Sequence, residues 1–270
     1  MAARPSPRLT FPELLRSTPP IFGTLITSPS PRWPDAVGKC GLDFVFLDTE
    51  HIALDRQQLS WMCQTYQRMN LPPLVRIPAP DPYAATVALD GGAAGVVAPY
   101  IETVEQVQAL RGAVKLRPLK GERMQAILAG ERPDPKLQDY LGRIGRTKAL
   151  VVNIESIPGI QNLDAILQVP DLDAILIGPH DLSVSLGIPE EYRHPRFRAA
   201  VKDIVRRARA AGVGAGIHFW TDLALGREFL KAGMSFMVHA SDVQLFTEGI
   251  QREVGKLRGK KRSVQAAEAV

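Results

Sequence analysis

Short apolar runs recur along the chain with amphipathic stretches between them. The runs typical of strands are residues 21–27, 44–47, 71–78, 94–98, 149–154, 172–177, 213–218 and 235–241. Residues 44–47 are apolar without alternation, as expected of a strand that is buried on both faces of a parallel sheet. Eight such strands with helices between most pairs predict an α/β fold, a single (β/α)8 TIM barrel. A doubly wound sheet is the alternative, but no G-x-G-x-x-G follows the first strand.

Three segments depart from this rhythm and suggest the domain organisation. A Pro/Ser-rich arm covers residues 1–20, the barrel residues 21–250, and a basic tail residues 251–270. Residues 115–148 form an insertion that is too long for a simple loop, and loops of this size are usually lids or binding elements. Arg117, Lys120 and Arg123 would make it a cationic flap for an anionic substrate. A solvated surface insertion is the alternative.

Composition indicates the class of protein and the cellular compartment that suits it. The 270 residues are 45% hydrophobic and 23% charged, as in ordinary globular proteins. No apolar run reaches the ~18 residues of a membrane span, and the first residues lack the apolar core of a secretory signal. Cys40 and Cys63 are the only cysteines, which suits a reducing cytoplasm. The net charge of +5 owes much to residues 256–262, where a solvated charge run is favoured over a nucleic-acid or other polyanion site.

Two carboxylates follow neighbouring strands in residues 149–183. Glu155 closes one predicted strand and Asp181 follows the next. Parallel strands joined by a crossover end at the same edge of a sheet, so both side chains can converge there. A metal site is one interpretation. The other is that Asp181 caps a turn and Glu155 forms an ion pair.

Further polar residues are predicted at the same rim, where barrel enzymes carry their chemistry. Asp48 and His51 follow the second strand as a possible acid–base pair, and Arg76 ends the third. Two carboxylates with open coordination positions suit Mg²⁺ or Mn²⁺. A 2-oxo acid can chelate such a metal, which stabilises an enolate. Arg76 would stabilise the developing oxyanion, and His51 would transfer a proton.

The positions of the lysines argue against catalysis through a Schiff base. None of the ten falls at the carboxyl end of a predicted strand. A Schiff-base aldolase needs a buried lysine there, so covalent imine chemistry is disfavoured. P-loop, zinc-finger, HExxH and GxSxG motifs are also missing from the sequence.

Several separated motifs, taken in order, resemble one family. They are DFVFLDTEH, PLVRIPAPDPYAATVALDGGAAGVVAPYIET, RPLKGER, VVNIES and AILIGPHDLSVSLG. They look like the successive motifs of the HpcH/HpaI aldolases, metal-dependent pyruvate aldolases of the phosphoenolpyruvate/pyruvate barrel superfamily. The resemblance implies cleavage of 4-hydroxy-2-oxo acids to pyruvate and an aldehyde through a metal-stabilised enolate, and the reverse aldol addition.

The resemblance also implies roles for individual residues. Glu155 and Asp181 match the metal ligands, for Mg²⁺ or Mn²⁺ with Co²⁺ or Zn²⁺ possible, while His51 matches the proton acceptor and Arg76 the transition-state stabiliser. Asp90 matches the acid that raises the basicity of the histidine, yet the predicted topology puts Asp90 at the other end of its own barrel. A contribution across a subunit interface resolves this conflict. The family resembles domain-swapped dimers assembled into hexamers, so a swapped C-terminal helix and a homo-oligomer are expected.

The sequence departs from the family at positions expected to contact substrate. Asn153 stands where glutamine is common, and His180 and His239 stand where small residues are common. Met124 follows Arg123 where glycine is usual. These differences indicate that the aldehyde half of the substrate is this chain's own.

Two further functions remain open from the sequence. One keeps the enolate chemistry with another substrate, as in citrate-lyase-β-like cleavage of acyl-CoA thioesters or macrophomate-synthase-like decarboxylation of oxaloacetate. The other is a non-catalytic barrel whose basic tail binds a polyanion. A chelator, a panel of 2-oxo acids and deletion of residues 256–270 would separate the three.

Overall fold

A closed barrel of parallel strands, paired in chain order from β1 to β8, forms the centre of the molecule. The computed structural model describes residues 9–259. The strands are β1 (Ile21–Leu25), β2 (Phe44–Asp48), β3 (Pro73–Arg76), β4 (Gly95–Ala98), β5 (Ala149–Ile154), β6 (Ala174–Ile177), β7 (Gly214–His218) and β8 (Phe236–Ser241). The predicted (β/α)8 TIM barrel is confirmed, and the predicted strand ends differ from these by at most two residues.

Helices surround the barrel and follow the strands in the order that a parallel sheet requires. They are α1 (Phe11–Leu14), α2 (Trp33–Val37), α3 (Arg56–Arg68), α4 (Pro82–Asp90), α5 (Val104–Lys115), α6 (Gly121–Leu128), α7 (Pro135–Gly145), α8 (Ile157–Gln161), α9 (Leu163–Leu167), α10 (Pro179–Ser185), α11 (Pro195–Ala210), α12 (Leu223–Lys231) and α13 (Asp242–Leu257). Asp55 caps α3 and Thr103 caps α5, each with a glutamine at the third helical position in a capping box.

The alternation of side chains along each strand divides the core in two. One set packs outward against the helices, and the other fills the barrel interior with aromatic and branched residues, among them Phe44, Phe46, Leu74, Val151 and Phe236. The two-residue period places Asp48 above Phe46 on β2 and Arg76 above Leu74 on β3. The hydrophobic filling therefore ends at the carboxyl rim in a layer of polar side chains.

The opposite end of the barrel is closed by the first helix. Phe11 of α1 packs on Phe44 with ring centroids 5.9 Å apart. The backbone oxygen of Leu15 accepts a 2.6 Å hydrogen bond from Ser235 Oγ. Residues 1–8 of the predicted arm lie outside the described residues. Residues 9–20 include helix α1, which closes this end of the barrel.

The insertion at 115–148 lies at this closed end. It folds as α6 and α7, whose Ile127 and Leu141 share a small core with Leu116. Because it joins the end of α5 to the start of β5, it approaches the amino ends of the strands. The insertion does not cover the carboxyl rim of its own barrel, since the chain reaches that rim only after a strand, and its predicted role as a lid or binding element for an anionic substrate stays a prediction.

The carboxyl-terminal region is helical beyond the predicted boundary at residue 250. Helix α13 continues to Leu257, so the described part of the basic tail begins as helix. Residues 260–270 lie outside the described region. Within residues 9–259 no helix is long and apolar enough to span a membrane.

Candidate active site

Asp48 and Arg76 form the centre of the carboxyl rim. Their strands pair with these two residues in register. Asp48 Oδ1 and Oδ2 accept hydrogen bonds of 3.0 and 2.5 Å from Arg76 Nε and Nη2. The Asp48 residue is only 1% exposed, so this bidentate pair is held almost without solvent. Arg76 also lies over the Phe46 ring, 5.7 Å from its centroid.

The pair fixes the charge of both partners. Burial alone would raise the pKa of Asp48, but the hydrogen bond and positive charge of Arg76 outweigh it and lower that pKa. Burial would likewise lower the pKa of Arg76, and Asp48 reverses this effect. Arg76 is therefore a fixed cation at the bottom of the rim, as expected from the sequence.

Glu50 connects this pair to His51, and its part in the site was not predicted. Its Oε2 lies 3.1 Å from Arg76 Nε and its Oε1 lies 3.6 Å from His51 Nε2. Asp48 has no hydrogen bond to His51 in the described chain, since its oxygens accept from Arg76 and from the Glu50 N–H, so its predicted part in orienting His51 stays a prediction. The sequence signal for Glu50 was its place between Asp48 and His51 directly after a buried strand.

Glu155 occupies the neighbouring part of the rim, after β5. The Tyr100 backbone N–H donates to its Oε1 at 2.8 Å, and Asn153 Nδ2 donates to its Oε2, also at 2.8 Å. Burial raises the pKa of Glu155, the Tyr100 N–H lowers it, and the negative charges of Asp181 and Glu50 raise it further. A carboxylate that is oriented by two donors and crowded by like charges is suited to binding a cation.

Asp181 reaches the same region from the first turn of α10. Gly178 is the N-cap of this helix, so Asp181 does not cap a turn as the structural alternative required. Neither Asp181 nor Glu155 forms an ion pair within residues 9–259. The negative charge of Asp181 acts on Glu155, while the nearby Arg76 cation interacts with Glu155 without forming an ion pair to it.

The oxygen donors fit a divalent cation with open coordination positions. Asn153 Oδ1 is buried and has no hydrogen-bond partner in the described chain. Its lone pairs are unused, and the amide nitrogen of the same side chain donates to Glu155. Residues 9–259 contain no group of three or more histidine, cysteine, aspartate or glutamate residues placed as metal ligands. The donors present therefore suit a cation that takes its remaining ligands from water and substrate.

The comparisons with known proteins agree with this geometry. A profile of the HpcH/HpaI aldolase/citrate lyase family matches residues 23–249. The chain belongs to this family. It is 31% identical over 257 residues to a 2-dehydro-3,6-dideoxy-6-sulfogluconate aldolase of Pseudomonas putida, covering 95% of this chain and 98% of the relative. A hydroxypyruvate/pyruvate aldolase of Pseudomonas aeruginosa is 28% identical over 249 residues, covering 92% of each chain.

A solved structure extends the agreement to the fold. A HpcH/HpaI aldolase/citrate lyase family protein from Burkholderia cenocepacia J2315 matches with a TM-score of 0.78 at 27% identity, covering 92% of this chain and 98% of that one. The predicted enzyme class, a carbon–carbon lyase of the aldolase type, is confirmed. Dependence on a divalent metal is in keeping with membership of the HpcH/HpaI family.

Two residues singled out from the sequence lie away from the centre of the site. Asp90 ends α4 at the closed end of the barrel, where it pairs with Arg117. In one HpcH/HpaI chain it therefore cannot contact His51. The side chain of His180 is 56% exposed, with Nδ1 3.5 Å from Glu190 Oε1.

Two histidines at the ends of β7 and β8 are anchored to backbone. Nε2 of His218 lies 3.1 Å from the oxygen of Ala240, and Nδ1 of His239 lies 3.2 Å from the oxygen of Phe219. Burial lowers the pKa of His218 to about 4, and the charge of Arg76 contributes to this shift. His218 is therefore neutral near pH 7 and adds no positive charge to the rim.

Gly178 leaves the space that Glu155 occupies. A Cβ at this position would overlap the Glu155 carboxylate, whereas the backbone itself has an ordinary conformation. We expect Gly178→Ala to fold normally but to displace Glu155, weakening Mn²⁺ binding by about 10- to 100-fold. Titration calorimetry measures this change. Gly142→Ala on α7 is the control, because its Cβ would meet only the far end of the Arg146 side chain at 3.6 Å, and equal Mn²⁺ affinity in both variants would contradict the prediction.

Proposed function

We propose that this chain cleaves 4-hydroxy-2-oxo acids to pyruvate and an aldehyde, and catalyses the reverse aldol addition. The observation that carries the proposal is the buried Arg76 cation close to Glu155. The pKa of Glu155 itself is raised by burial and by the negative charge of Asp181. Such a rim has fixed positive charge for a developing oxyanion and oxygen donors for Mg²⁺ or Mn²⁺. When bound there, the cation would supply Lewis-acid polarisation of the 2-oxo acid.

The chain's own residues stabilise the developing charge and transfer the proton. Arg76 faces the negative charge that develops on the ketone oxygen and stabilises it in a site with little water. His51 accepts the proton of the C4 hydroxyl group as the C3–C4 bond breaks and the aldehyde carbonyl forms. The side chain of His51 is 61% exposed, so this proton can pass on to water. Asn153 and His180 are proposed to contact the substrate.

A direct assay tests this function. Purified enzyme is given a panel of 4-hydroxy-2-oxo acids, and released pyruvate is measured with a coupled dehydrogenase, with and without chelator. We expect pyruvate release that disappears with chelator and returns with Mg²⁺ or Mn²⁺. Undiminished turnover in chelator would refute the proposal. Pyruvate release from oxaloacetate alone, or cleavage of acyl-CoA thioesters alone, would favour the related enolate reactions.

We propose that the enzyme is a homo-oligomer in which α13 of one copy covers the barrel of another. An apolar groove of about 680 Å³ opens on the outer face of β8 and β1, lined among others by Trp33, Val37, Leu230 and Met237. Barrels of this type carry a helix on that face. Here the first turns of α13 line one edge of the groove through Leu245 and Phe246, and the helix exposes an apolar stripe that includes Val243, Phe246 and Ile250.

The family resemblance gives this assembly a catalytic consequence. It implies that Asp90 of a second copy acts on His51. A single chain without its partner would then lack a complete site. The hexamer implied by the resemblance would be built from such dimers. The small-molecule partners proposed are a 2-oxo acid and an aldehyde.

Charges introduced on the exposed face of α13 should dissociate this assembly. In Phe246→Asp/Ile250→Asp, each carboxylate would be buried in the apolar groove of a second copy, which costs several kcal/mol per ion. We expect a smaller mass by light scattering and a large loss of kcat/KM. Gln251→Asp, an exposed polar residue on the same helix, is the control. Unchanged mass in the double variant would exclude this mode of association.

A further inference from the structure

A polar pocket of about 390 Å³ opens between the loop that follows α10 and the loop that follows β7. Both loops come after a strand and before the helix that returns along the outside of the barrel, so they lie on the same side of the barrel as the carboxyl rim. The polar side chains that line the pocket belong to Glu190, Glu191, Arg193, His194, Thr221 and Asp222.

One contact connects this pocket with the proposed metal ligand Asp181. His180 directly precedes Asp181 in the first turn of α10, and its Nδ1 lies 3.5 Å from Oε1 of Glu190. Because Glu190 lines the pocket, only the side chain of His180 separates the pocket from the residue next to the cation site. Burial and the negative charges of Glu190 and Asp181 raise the pKa of Tyr192, which also lines the pocket, to about 12, in agreement with this proximity.

A buried serine fixes the loop that carries Glu190. Ser183 is 0% exposed. Its hydroxyl group donates a 2.7 Å hydrogen bond to the His180 carbonyl oxygen and accepts one of 2.9 Å from the Glu190 N–H. The φ angle of Glu190 is +61°, in the left-handed region, where a residue persists only if its surroundings hold it. The backbone of Glu190 is therefore anchored beside His180, while its side chain is 57% exposed and open to a ligand.

The charge of the pocket indicates which ligands it accepts. Among the described residues that line it, Glu190, Glu191 and Asp222 carry carboxylates and Arg193 carries a guanidinium. This guanidinium pairs with Asp222, so the lining keeps an excess of negative charge. Carboxylates accept hydrogen bonds from hydroxyl groups and repel anions. The exposed hydroxyl group of Thr221 adds both a donor and an acceptor.

We propose that this pocket is the subsite for the aldehyde half of the substrate, and that it takes an uncharged, hydroxylated aldehyde with Glu190 as the acceptor for one of its hydroxyl groups. This inference rests on the proposed function. With the 2-oxo acid held at Glu155 and Asp181, the carbon atoms beyond C4 extend past His180 toward Glu190. Glu190 sets specificity and takes no part in the breaking of bonds.

The test uses aldol addition of pyruvate to three aldehydes with the same three-carbon skeleton. Propanal has no hydroxyl group, glyceraldehyde has two, and glyceraldehyde 3-phosphate adds an anionic group. Consumption of pyruvate in the presence of Mn²⁺ gives kcat/KM for each aldehyde. For the wild type we expect a value for glyceraldehyde at least about tenfold above that for propanal, the size of effect that a hydrogen bond to a charged group produces. The value for glyceraldehyde 3-phosphate should be lower than that for glyceraldehyde.

Variants separate recognition by the pocket from the intrinsic reactivity of the aldehydes. In Glu190→Ala the glyceraldehyde-to-propanal ratio should fall at least about fivefold, with kcat/KM for propanal within about twofold of wild type. The backbone N–H of residue 190 still donates to Ser183 in this variant, so the loop keeps its anchor. Thr221→Val should lower the same ratio and decides the matter if Glu190→Ala does not fold. Glu105→Ala, at an exposed acid on α5, is the matched control.

An unchanged ratio in Glu190→Ala, or a wild type that prefers propanal or the phosphate to glyceraldehyde, would overturn the inference and leave the proposed function intact. A wild type that adds none of the three aldehydes but cleaves other 4-hydroxy-2-oxo acids would have the same consequence. Failure of both addition and cleavage would overturn the proposed function as well.

Discussion

Replacing Glu155 by glutamine is expected to lower kcat/KM for metal-dependent cleavage by more than about a hundredfold, since even residues that only orient metal ligands contribute about 10- to 100-fold. Both Glu155 oxygens accept hydrogen bonds, one from the Tyr100 N–H and one from Asn153 Nδ2. The glutamine amide nitrogen must face one of these donors, so the variant loses charge and orientation together. Mn²⁺ affinity, measured by calorimetry or electron paramagnetic resonance, should fall in parallel.

Stability separates this loss from unfolding. Burial of the Glu155 carboxylate costs free energy of folding, as the raised pKa of this group indicates. Removing the charge therefore has little effect on the stability of the metal-free protein. In chelator, Tm should stay within about 3 °C of wild type. Asp181→Asn should repeat the loss of Mn²⁺, whereas Glu105→Gln, an exposed acid on α5, should not. Full Mn²⁺ affinity in Glu155→Gln would remove this residue from the proposed site.

The rim could be predicted from sequence because parallel strands constrain it. Once the apolar runs were assigned as strands, residues directly after them had to lie at one edge, as Asp48, Arg76 and Glu155 do. The side chains that these residues contact could not be predicted in the same way. Whether Asp48 pairs with Arg76 or His51 depends on the register between β2 and β3, which is set by closure of the barrel.

Other features depend on backbone geometry that residue types do not specify. Nothing in the sequence around Tyr100 predicts its left-handed conformation, and the need for glycine at position 178 arises from the Glu155 carboxylate at the end of the neighbouring strand. The position of the insertion, by contrast, follows from the order of elements. It comes after helix α5 and before strand β5, which places it at the closed end of its own barrel.

Arg76→Met should destabilise the protein as well as inactivate it. The variant keeps much of the volume but leaves the Asp48 carboxylate, 1% exposed, without its cation. Breaking a buried pair in this way costs about 3–5 kcal/mol of unfolding free energy. The double variant Arg76→Met/Asp48→Asn removes the isolated Asp48 charge and should recover part of this loss, since Glu50 still lacks Arg76. Cleavage stays impaired in both variants because the oxyanion has lost its cation. Urea denaturation and pyruvate release measure the two effects separately.

The pH dependence of the same variants gives the sharper result. In the wild type the pKa of Asp48 is lowered by Arg76, so its contribution to stability is present above the unfolded value of about 3.9 and is lost as pH falls through the folded pKa. Without Arg76 only burial remains, and the folded pKa rises above the unfolded value. The penalty of the buried charge is then relieved as pH falls through that raised pKa, and Arg76→Met should gain stability relative to the wild type on mild acidification. Arg76→Met/Asp48→Asn lacks the Asp48 carboxyl group, so its stability relative to the wild type should not show this relief. Parallel pH profiles for the wild type and Arg76→Met would show that the guanidinium does not set the charge state of Asp48.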